Sequence, residues 1–198
     1  MRTVIALVML SLLALACGGH LPSHDYAKEP DPRAKEIILG VGDVVNINVW
    51  ENKDLSTEVT VRPDGKVTMP LVGDLKAEGQ TPTQLRETIK AKVKDFIKLE
   101  GTEVTVAVKS WHSYKFTVQG EVVRQGVFPS DQFVTVAEAL AMAGGLTRFA
   151  KRDGVRIFRR DPGSRELRQI PIDYDGLTSG KRLDMNIWIL SGDTISVP

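Results

Sequence analysis

The fold of this chain is set by the stretch Ile38-Leu39-Gly40-Val41-Gly42-Asp43-Val44-Val45-Asn46-Ile47-Asn48-Val49-Trp50. Its second half alternates apolar and polar residues, which predicts a strand with one apolar face. The Gly42-Asp43 pair in front of it predicts a tight turn, because glycine accepts φ > 0 and aspartate hydrogen-bonds nearby backbone. The same order of Leu, Gly-Asp and alternating strand returns at residues 190–197. We interpret the two as one strand-entry turn used at the start and end of a folded body; two unrelated turns are the alternative.

Residues 1–16 are predicted to be a signal peptide. Arg2 supplies the positive start, and the apolar run after it spans about 20 Å as a helix, short of the roughly 30 Å hydrocarbon core of a bilayer. Cys17, the only cysteine of the chain, follows at once. The segment Leu13-Ala14-Leu15-Ala16-Cys17 resembles a bacterial lipobox, so Cys17 is expected to be the site of lipid attachment. Ordinary cleavage after Ala16, which leaves a free cysteine, is the alternative.

Residues 17–35 are predicted to be a lipidated tether. The segment contains three prolines and few apolar residues, so we expect it to be extended and mobile. His20, His24 and Asp25 lie in it, and we interpret them as part of a solvated linker and not as a metal site. Gly18, the residue after Cys17, is typical of lipoproteins sorted to the outer membrane.

The charge balance argues against nucleic acid as a partner. The whole chain has 26 basic and 25 acidic residues, and loss of the leader removes Arg2 alone, which leaves a net charge of zero. With a single cysteine, an intramolecular disulfide and a cysteine-rich metal site are excluded.

Residues 36–110 predict a first domain of strands, one helix and a further strand. After the opening strand, Arg62-Pro63-Asp64-Gly65 has the composition of a tight turn and predicts a hairpin between residues 58–61 and 66–69. Thr81, Pro82 and Gln84 predict the capped start of a helix. The helix has one apolar stripe and is expected to end at Gly101; the stripe consists of Leu85, Ile89, Val93, Phe96 and Ile97.

Residues 111–198 predict a second domain. Two strands are followed by a short helix that begins at Thr135 and ends at Gly144-Gly145, and more strands complete the domain. This order is that of a small β-grasp domain. The fold class is therefore α+β.

Both domains resemble known ones. In the first, Leu39-Gly40-Val41-Gly42-Asp43, Arg62-Pro63-Asp64-Gly65 and Met69-Pro70-Leu71-Val72-Gly73 resemble the polysaccharide biosynthesis/export domain. In the second, Val118-Gln119-Gly120-Glu121-Val122 and Ala143-Gly144-Gly145-Leu146 resemble a soluble-ligand-binding β-grasp (SLBB) domain. With the lipobox, the chain is similar to the outer-membrane polysaccharide export lipoproteins.

The resemblance implies a function and partners. Members of this family form rings around a passage for capsule or exopolysaccharide, so a homo-oligomeric ring lipid-anchored at the periplasmic face of the outer membrane is expected. An inner-membrane copolymerase and the exported polysaccharide are the implied partners. Larger members carry a C-terminal membrane-spanning helix, whereas this sequence ends at Pro198 on a predicted strand. We therefore expect a separate outer-membrane channel, a β-barrel, to complete the passage.

The sequence offers no pattern of a catalytic, cofactor or metal site. It contains no His-Glu-x-x-His or Gly-x-Ser-x-Gly, and Gly40-Val41-Gly42-Asp43 is followed by a strand where a dinucleotide fingerprint requires a helix. Paired carboxylates of a glycosidase remain an open alternative. We interpret the protein as a non-enzyme without a cofactor. Trp50, Trp111 and Trp188 are able to stack on sugars, but packing in the core or an interface is the favoured role.

One basic cluster is a candidate contact for an acidic glycan or a neighbouring subunit, because arginine suits carboxylate and phosphate partners. A charged, water-facing hairpin is the alternative. The candidate residues are Arg148, Lys151, Arg152, Arg156, Arg159 and Arg160; Arg165 and Arg168 complete the cluster. For the chain as a whole, the alternative to a ring component is a monomeric, lipid-anchored module that binds a soluble ligand.

Overall fold

The computed structural model describes residues 24–96, 104–161, 163 and 166–198. The predicted signal peptide, Cys17 and the expected helix end at Gly101 lie outside these residues. Within them, the α+β class is confirmed: helices and strands surround two separate hydrophobic cores.

The first core belongs to a domain with a central strand buried on one face. The strand that follows Asp43 lies between two antiparallel neighbours, Thr57–Thr60 and Val104–Ser110, while Lys66–Met69 and Gly73–Lys76 form a separate hairpin. Val45, Ile47 and Val49 are buried, as their alternation predicts. The elements are β1 (Val44–Val49), β2 (Thr57–Thr60), β3 (Lys66–Met69), β4 (Gly73–Lys76), α1 (Pro82–Val93) and β5 (Val104–Ser110).

The predicted hairpin between residues 58–61 and 66–69 is wrong in its pairing. The turn itself is present, since the Gly65 N–H donates to the Arg62 carbonyl. However, β2 pairs with β1, and β3 pairs with β4 across a tight turn at Leu71, whose φ is 61°. β2 and β3 do not pair with each other, because Val61, the residue after β2, exchanges backbone hydrogen bonds with Gly42 and Asp43 of the strand-entry turn.

Helix α1 starts as predicted and ends early. Thr81 and Gln84 form the expected capping box, and Leu85, Ile89 and Val93 are buried. The helix ends at Val93, and Phe96 is 52% exposed, so the apolar stripe does not continue through it. Lys92 and Lys94 are also exposed, so the chain around the end of the helix faces solvent.

The second core belongs to a five-stranded mixed sheet. The elements are β6 (Lys115–Gly120), β7 (Gly126–Pro129), α2 (Val136–Met142), β8 (Val155–Arg160), β9 (Leu167–Ile172), α3 (Tyr174–Thr178) and β10 (Thr194–Val197). The strand order in the sheet is β7-β6-β10-β8-β9, and the first long strand of the domain, β6, lies parallel to its last strand, β10. This parallel pair, with a helix between β7 and β8 in the chain, is the β-grasp arrangement.

The two Gly-Asp turns have the same geometry. In the first, Asp43 Oδ2 accepts a hydrogen bond from the Gly40 N–H at 2.8 Å; in the second, Asp193 Oδ2 accepts one from the Leu190 N–H at 2.8 Å. The glycines before the aspartates have φ of 92° and 85°. The repeated strand-entry turn is therefore confirmed.

The expectation of an extended tether is wrong for residues 24–34. Two short 3-10 turns, Tyr26–Lys28 and Pro32–Ala34, fold this segment against the second domain. Tyr26 is 7% exposed, belongs to the second core and donates a hydrogen bond from its hydroxyl to the Pro171 carbonyl at 2.6 Å. We call residues 24–34 the docked segment.

Candidate functional site

The six candidate basic residues do not share one surface. Arg148, Lys151, Arg156 and Arg160 have exposed side chains. The guanidinium of Arg152 is also exposed, but it pairs with the Asp175 carboxylate and lies 4.8 Å from the centre of the Tyr174 ring. Arg159 is buried, at 2% exposure.

The burial of Arg159 follows from strand alternation. In β8, Val155 and Ile157 are buried, and Arg159 is the next residue of the same face. Its Nε donates to both oxygens of Asp193 at 3.1 Å, and its Nη2 donates to Asp193 Oδ2 at 2.6 Å and to the Trp188 carbonyl at 2.7 Å. Arg159 therefore anchors the second strand-entry turn from inside the domain. The structure does not test whether the other basic residues contact a glycan, and that role stays a prediction.

Glu29 of the docked segment completes this buried cluster. Its carboxylate is 3% exposed and accepts hydrogen bonds from Arg159 Nη1 at 2.7 Å and from Arg168 Nη1 at 3.0 Å. His24 Nε2 lies 2.9 Å from the same carboxylate. Burial opposes ionisation of Glu29, but the hydrogen bond from His24 and the two guanidinium charges outweigh it and hold the pKa of the Glu29 carboxyl below its usual value.

Arg33 fixes the other end of the docked segment. Its guanidinium lies 4.1 Å from the centre of the Trp188 ring and forms a bidentate pair with Asp31. The segment is thus attached to the second domain through Tyr26, Glu29 and Arg33. Trp188 has a packing role, as predicted.

Asp43 joins the two domains. It is fully buried, and in addition to capping its own turn it accepts hydrogen bonds from the N–H of Ser113 at 2.7 Å and from the Ser113 hydroxyl at 2.8 Å. His112 Nδ1 lies 2.9 Å from the Gly42 carbonyl. Ser113 stands between β5 and β6, so the first strand-entry turn holds the connection between the domains.

Sequence reasoning missed Glu29, and it treated Arg159 as a surface residue. The alternation of β8 contained the signal for Arg159, because positions 155, 157 and 159 share a face. Nothing in the local sequence distinguishes Glu29 from the other charges of a proline-containing segment. The partners of Asp43 were also missed, although its place in the repeated turn was not.

No metal or membrane-spanning feature is found in the part of the chain that the structure describes. Residues 24–96, 104–161, 163 and 166–198 contain no group of three or more His, Cys, Asp or Glu placed to hold a metal ion. Over the same ranges, no helix combines the length and apolarity needed to cross a membrane.

Two family models match the chain in succession. The model of the polysaccharide biosynthesis/export protein matches residues 31–109, and that of the SLBB domain matches residues 115–171. The first match includes the opening strand-entry turn, and the second runs from β6 into β9.

Several curated proteins are similar to this chain. The exopolysaccharide production protein ExoF of Rhizobium meliloti is 31% identical over 139 residues, which cover 65% of this chain and 32% of that protein. The EPS I polysaccharide export outer membrane protein EpsA of Ralstonia solanacearum is 27% identical, over 58% of this chain and 36% of its own length. The capsule polysaccharide export outer membrane protein CtrA of Neisseria meningitidis is 26% identical, over 69% and 40%.

The matched region is thus about a third to two fifths of the length of these relatives. The order of the two domains agrees with the resemblance that the sequence predicts. The chain carries a polysaccharide biosynthesis/export domain followed by an SLBB domain, and it is similar to polysaccharide export proteins of the outer membrane.

Proposed function

We propose that this protein is a lipid-anchored, ring-forming component of a machine that exports polysaccharide across the bacterial envelope. It acts as a transport component and not as an enzyme. The observation that carries this proposal is the succession of an export domain and an SLBB domain in a chain similar to proteins whose names state polysaccharide export. The match covers only part of the length of those relatives. The ring, the lipid anchor, the location and the partners are therefore proposed for this chain and not taken over from the relatives.

Deletion of the gene tests the export function. We expect the deletion strain to lose its surface polysaccharide, and expression of the chain from a plasmid to restore it. Normal surface polysaccharide in the deletion strain would reject the function. Glycan-degrading activity of the purified protein on the exported polymer would revive the enzymatic alternative.

The mass of the purified assembly separates a ring from a monomeric binding module. We expect discrete closed oligomers in mass photometry and ring-shaped particles in electron micrographs, because cyclic assemblies close at a fixed subunit number. Monomers alone at micromolar concentration would favour the monomeric module.

The lipid anchor is tested at Cys17. The variant Cys17→Ser is expected to move from the outer-membrane fraction to the soluble periplasmic fraction and to lose incorporation of labelled fatty acid. Cross-linking in cells, followed by purification of the wild-type chain, is expected to recover an inner-membrane copolymerase and a separate outer-membrane channel. Recovery of neither would remove these two partners from the proposal.

Four exposed basic residues stay a proposed contact for an acidic glycan or a neighbouring subunit: Arg148, Lys151, Arg156 and Arg160. Charge reversal at Lys151 and Arg156 together is expected to reduce export or ring assembly. The matched control is the double reversal of Lys92 and Lys94, two exposed residues at the end of α1. Unchanged export and unchanged ring assembly in the Lys151 and Arg156 double variant would reject the proposed contact.

A further inference from the structure

A cavity of about 1250 Å³ lies beside the connection between the two domains. We call it the junction cleft. Its lining includes the end of β5 and the residues after it, the loop after β7, and Arg33 of the docked segment. Small-molecule pockets usually enclose about 300–1,000 Å³ and often lie at domain interfaces, so the volume suits a segment of a chain-like ligand.

The lining of the junction cleft combines aromatic and uncharged polar groups. Trp111 and Phe133 supply ring surfaces, and Ser110, Ser130 and Gln132 supply hydroxyl and amide groups. A pyranose ring has a matching character, because its C–H face is apolar whereas its hydroxyls donate and accept hydrogen bonds. Aromatic faces with a few convergent polar groups are therefore a suitable surface for a sugar.

Trp111 also carries an unsatisfied donor. Its ring stacks on Tyr114 at 4.8 Å and meets the Phe133 ring edge-on at 4.9 Å. In the described part of the chain, Trp111 Nε1 and Gln80 Oε1 are the two buried side-chain polar atoms without a hydrogen-bond partner. An unpaired buried donor is unfavourable, and a ligand oxygen that reaches it removes that cost.

The charges around the cleft are largely paired already. Arg33 is held by Asp31 and by the ring of Trp188, and Lys109 lies 2.6 Å from the Glu58 carboxylate. The carboxylate of Asp131 is exposed at the cleft. A polyanion would have to break these pairs and approach Asp131, so the charge pattern favours an uncharged sugar segment.

From these observations we propose that the junction cleft binds an uncharged stretch of the exported glycan, with sugar rings against Trp111 and Phe133. The inference rests on the proposed function, since it takes the exported polysaccharide as the ligand class. The junction cleft is a different site from the basic surface around Lys151. That surface suits acidic groups, and Lys151 is not among the residues that line the cleft.

Titrations of the purified full chain with defined oligosaccharides test the inference. The probes are cellohexaose and laminarihexaose, which are neutral, and hexagalacturonate, which is acidic. We expect a neutral hexamer to change tryptophan fluorescence and to bind at least about tenfold more tightly than hexagalacturonate. Failure of both neutral hexamers to bind, or tighter binding of the acidic one, would overturn the proposal.

Two cleft variants and one control locate the binding. Trp111→Phe keeps an aromatic ring but removes the indole N–H, and Gln132→Ala removes an exposed amide without touching a core. Each is expected to weaken binding of the neutral hexamer by about tenfold. Trp50→Phe, at a residue that is 62% exposed and outside the cleft, is expected to leave affinity unchanged. Because Trp111 packs against the second core, circular dichroism is used to check that the Trp111→Phe variant is folded. Unchanged binding of the neutral hexamer by Gln132→Ala would on its own count against the site.

The binding test of the junction cleft and the deletion test of the export function can fail independently of each other. Loss of surface polysaccharide in the deletion strain, with no neutral binding in vitro, rejects the cleft and leaves the export function standing. Binding that depends on Gln132, with normal surface polysaccharide in the deletion strain, rejects the export function.

Discussion

At the scale of single residues, Arg159 is a charged side chain in a core position. Its guanidinium joins Asp193, Glu29 and the Trp188 carbonyl, and its exposure is 2%. Removing one member of a buried ion pair leaves the other charges uncompensated, which usually costs about 3–5 kcal/mol. We therefore expect Arg159→Ala to lower the free energy of unfolding by about that amount in urea titrations.

Arg156 is the control for this substitution, because it is an exposed arginine on the opposite face of the same strand. Arg156→Ala is expected to change the free energy of unfolding by no more than about 0.5 kcal/mol. Equal effects of the two substitutions would show that the buried cluster contributes nothing beyond an ordinary surface charge.

A second residue-scale prediction concerns Glu29 and pH. The pKa of the Glu29 carboxyl is lowered in the folded protein, so its contribution to stability is present above the unfolded pKa and is lost as pH falls through the folded value. At pH 7, Glu29→Gln is expected to lower the free energy of unfolding by about 2 kcal/mol, since it removes charge-assisted hydrogen bonds.

The difference between the wild type and Glu29→Gln should shrink once the pH is below the ordinary glutamate value of 4.5. Urea titrations of both proteins between pH 7 and pH 3 measure it. A difference that stays constant over this range would mean that folding does not shift the pKa of the Glu29 carboxyl, which would contradict the charged cluster.

At the scale of elements, the second domain depends on the parallel contact between β6 and β10. Gly120 pairs with Val197 at the end of this contact and has a φ of 92°. A Cβ atom there would lie 1.9 Å from the Val197 carbonyl oxygen, and backbone cannot yield as a flexible side chain can. Gly120→Ala is therefore expected to cost about 3 kcal/mol or more, measured as a lower unfolding midpoint.

Gly163 provides a matched control for this element. A Cβ added there meets nothing within 4 Å, and the φ of Gly163 lies outside the left-handed region. Gly163→Ala is expected to leave the unfolding midpoint nearly unchanged. If both alanine variants behaved alike, the close approach of β6 and β10 would not limit the stability of the domain.

Local chemistry decided which elements could be predicted. The strand-entry turns, the capping box at Thr81 and the alternation of β1 depend on neighbours within a few residues, and all three were confirmed. The partner of β2 and the burial of Glu29 depend on residues far along the chain, so no local pattern contained them. Arg159 is an intermediate case. The alternation of β8 placed it on the buried face, whereas its positive charge favoured the surface.

At the scale of the whole molecule, the two Gly-Asp turns perform different tasks with the same geometry. Each aspartate caps its own turn, and each uses its remaining hydrogen-bonding capacity on a distant residue. Asp193 is held by Arg159 inside the second domain, whereas Asp43 holds Ser113 between the domains. One local device therefore secures both a core and a domain junction.

The last prediction follows from this role of Asp43. Asp43→Ala removes the acceptor of the Gly40 N–H and of both Ser113 groups, and unpaired buried donors cost about 1–3 kcal/mol each. We expect faster hydrogen–deuterium exchange at residues 38–43 and 111–114, with β8 and β10 unchanged, because the second core does not include Asp43. Asp74→Ala, which removes an exposed carboxylate paired with Arg62, is the control and should leave the junction unaltered. Unchanged exchange at the junction in Asp43→Ala would mean that other contacts hold the domains together.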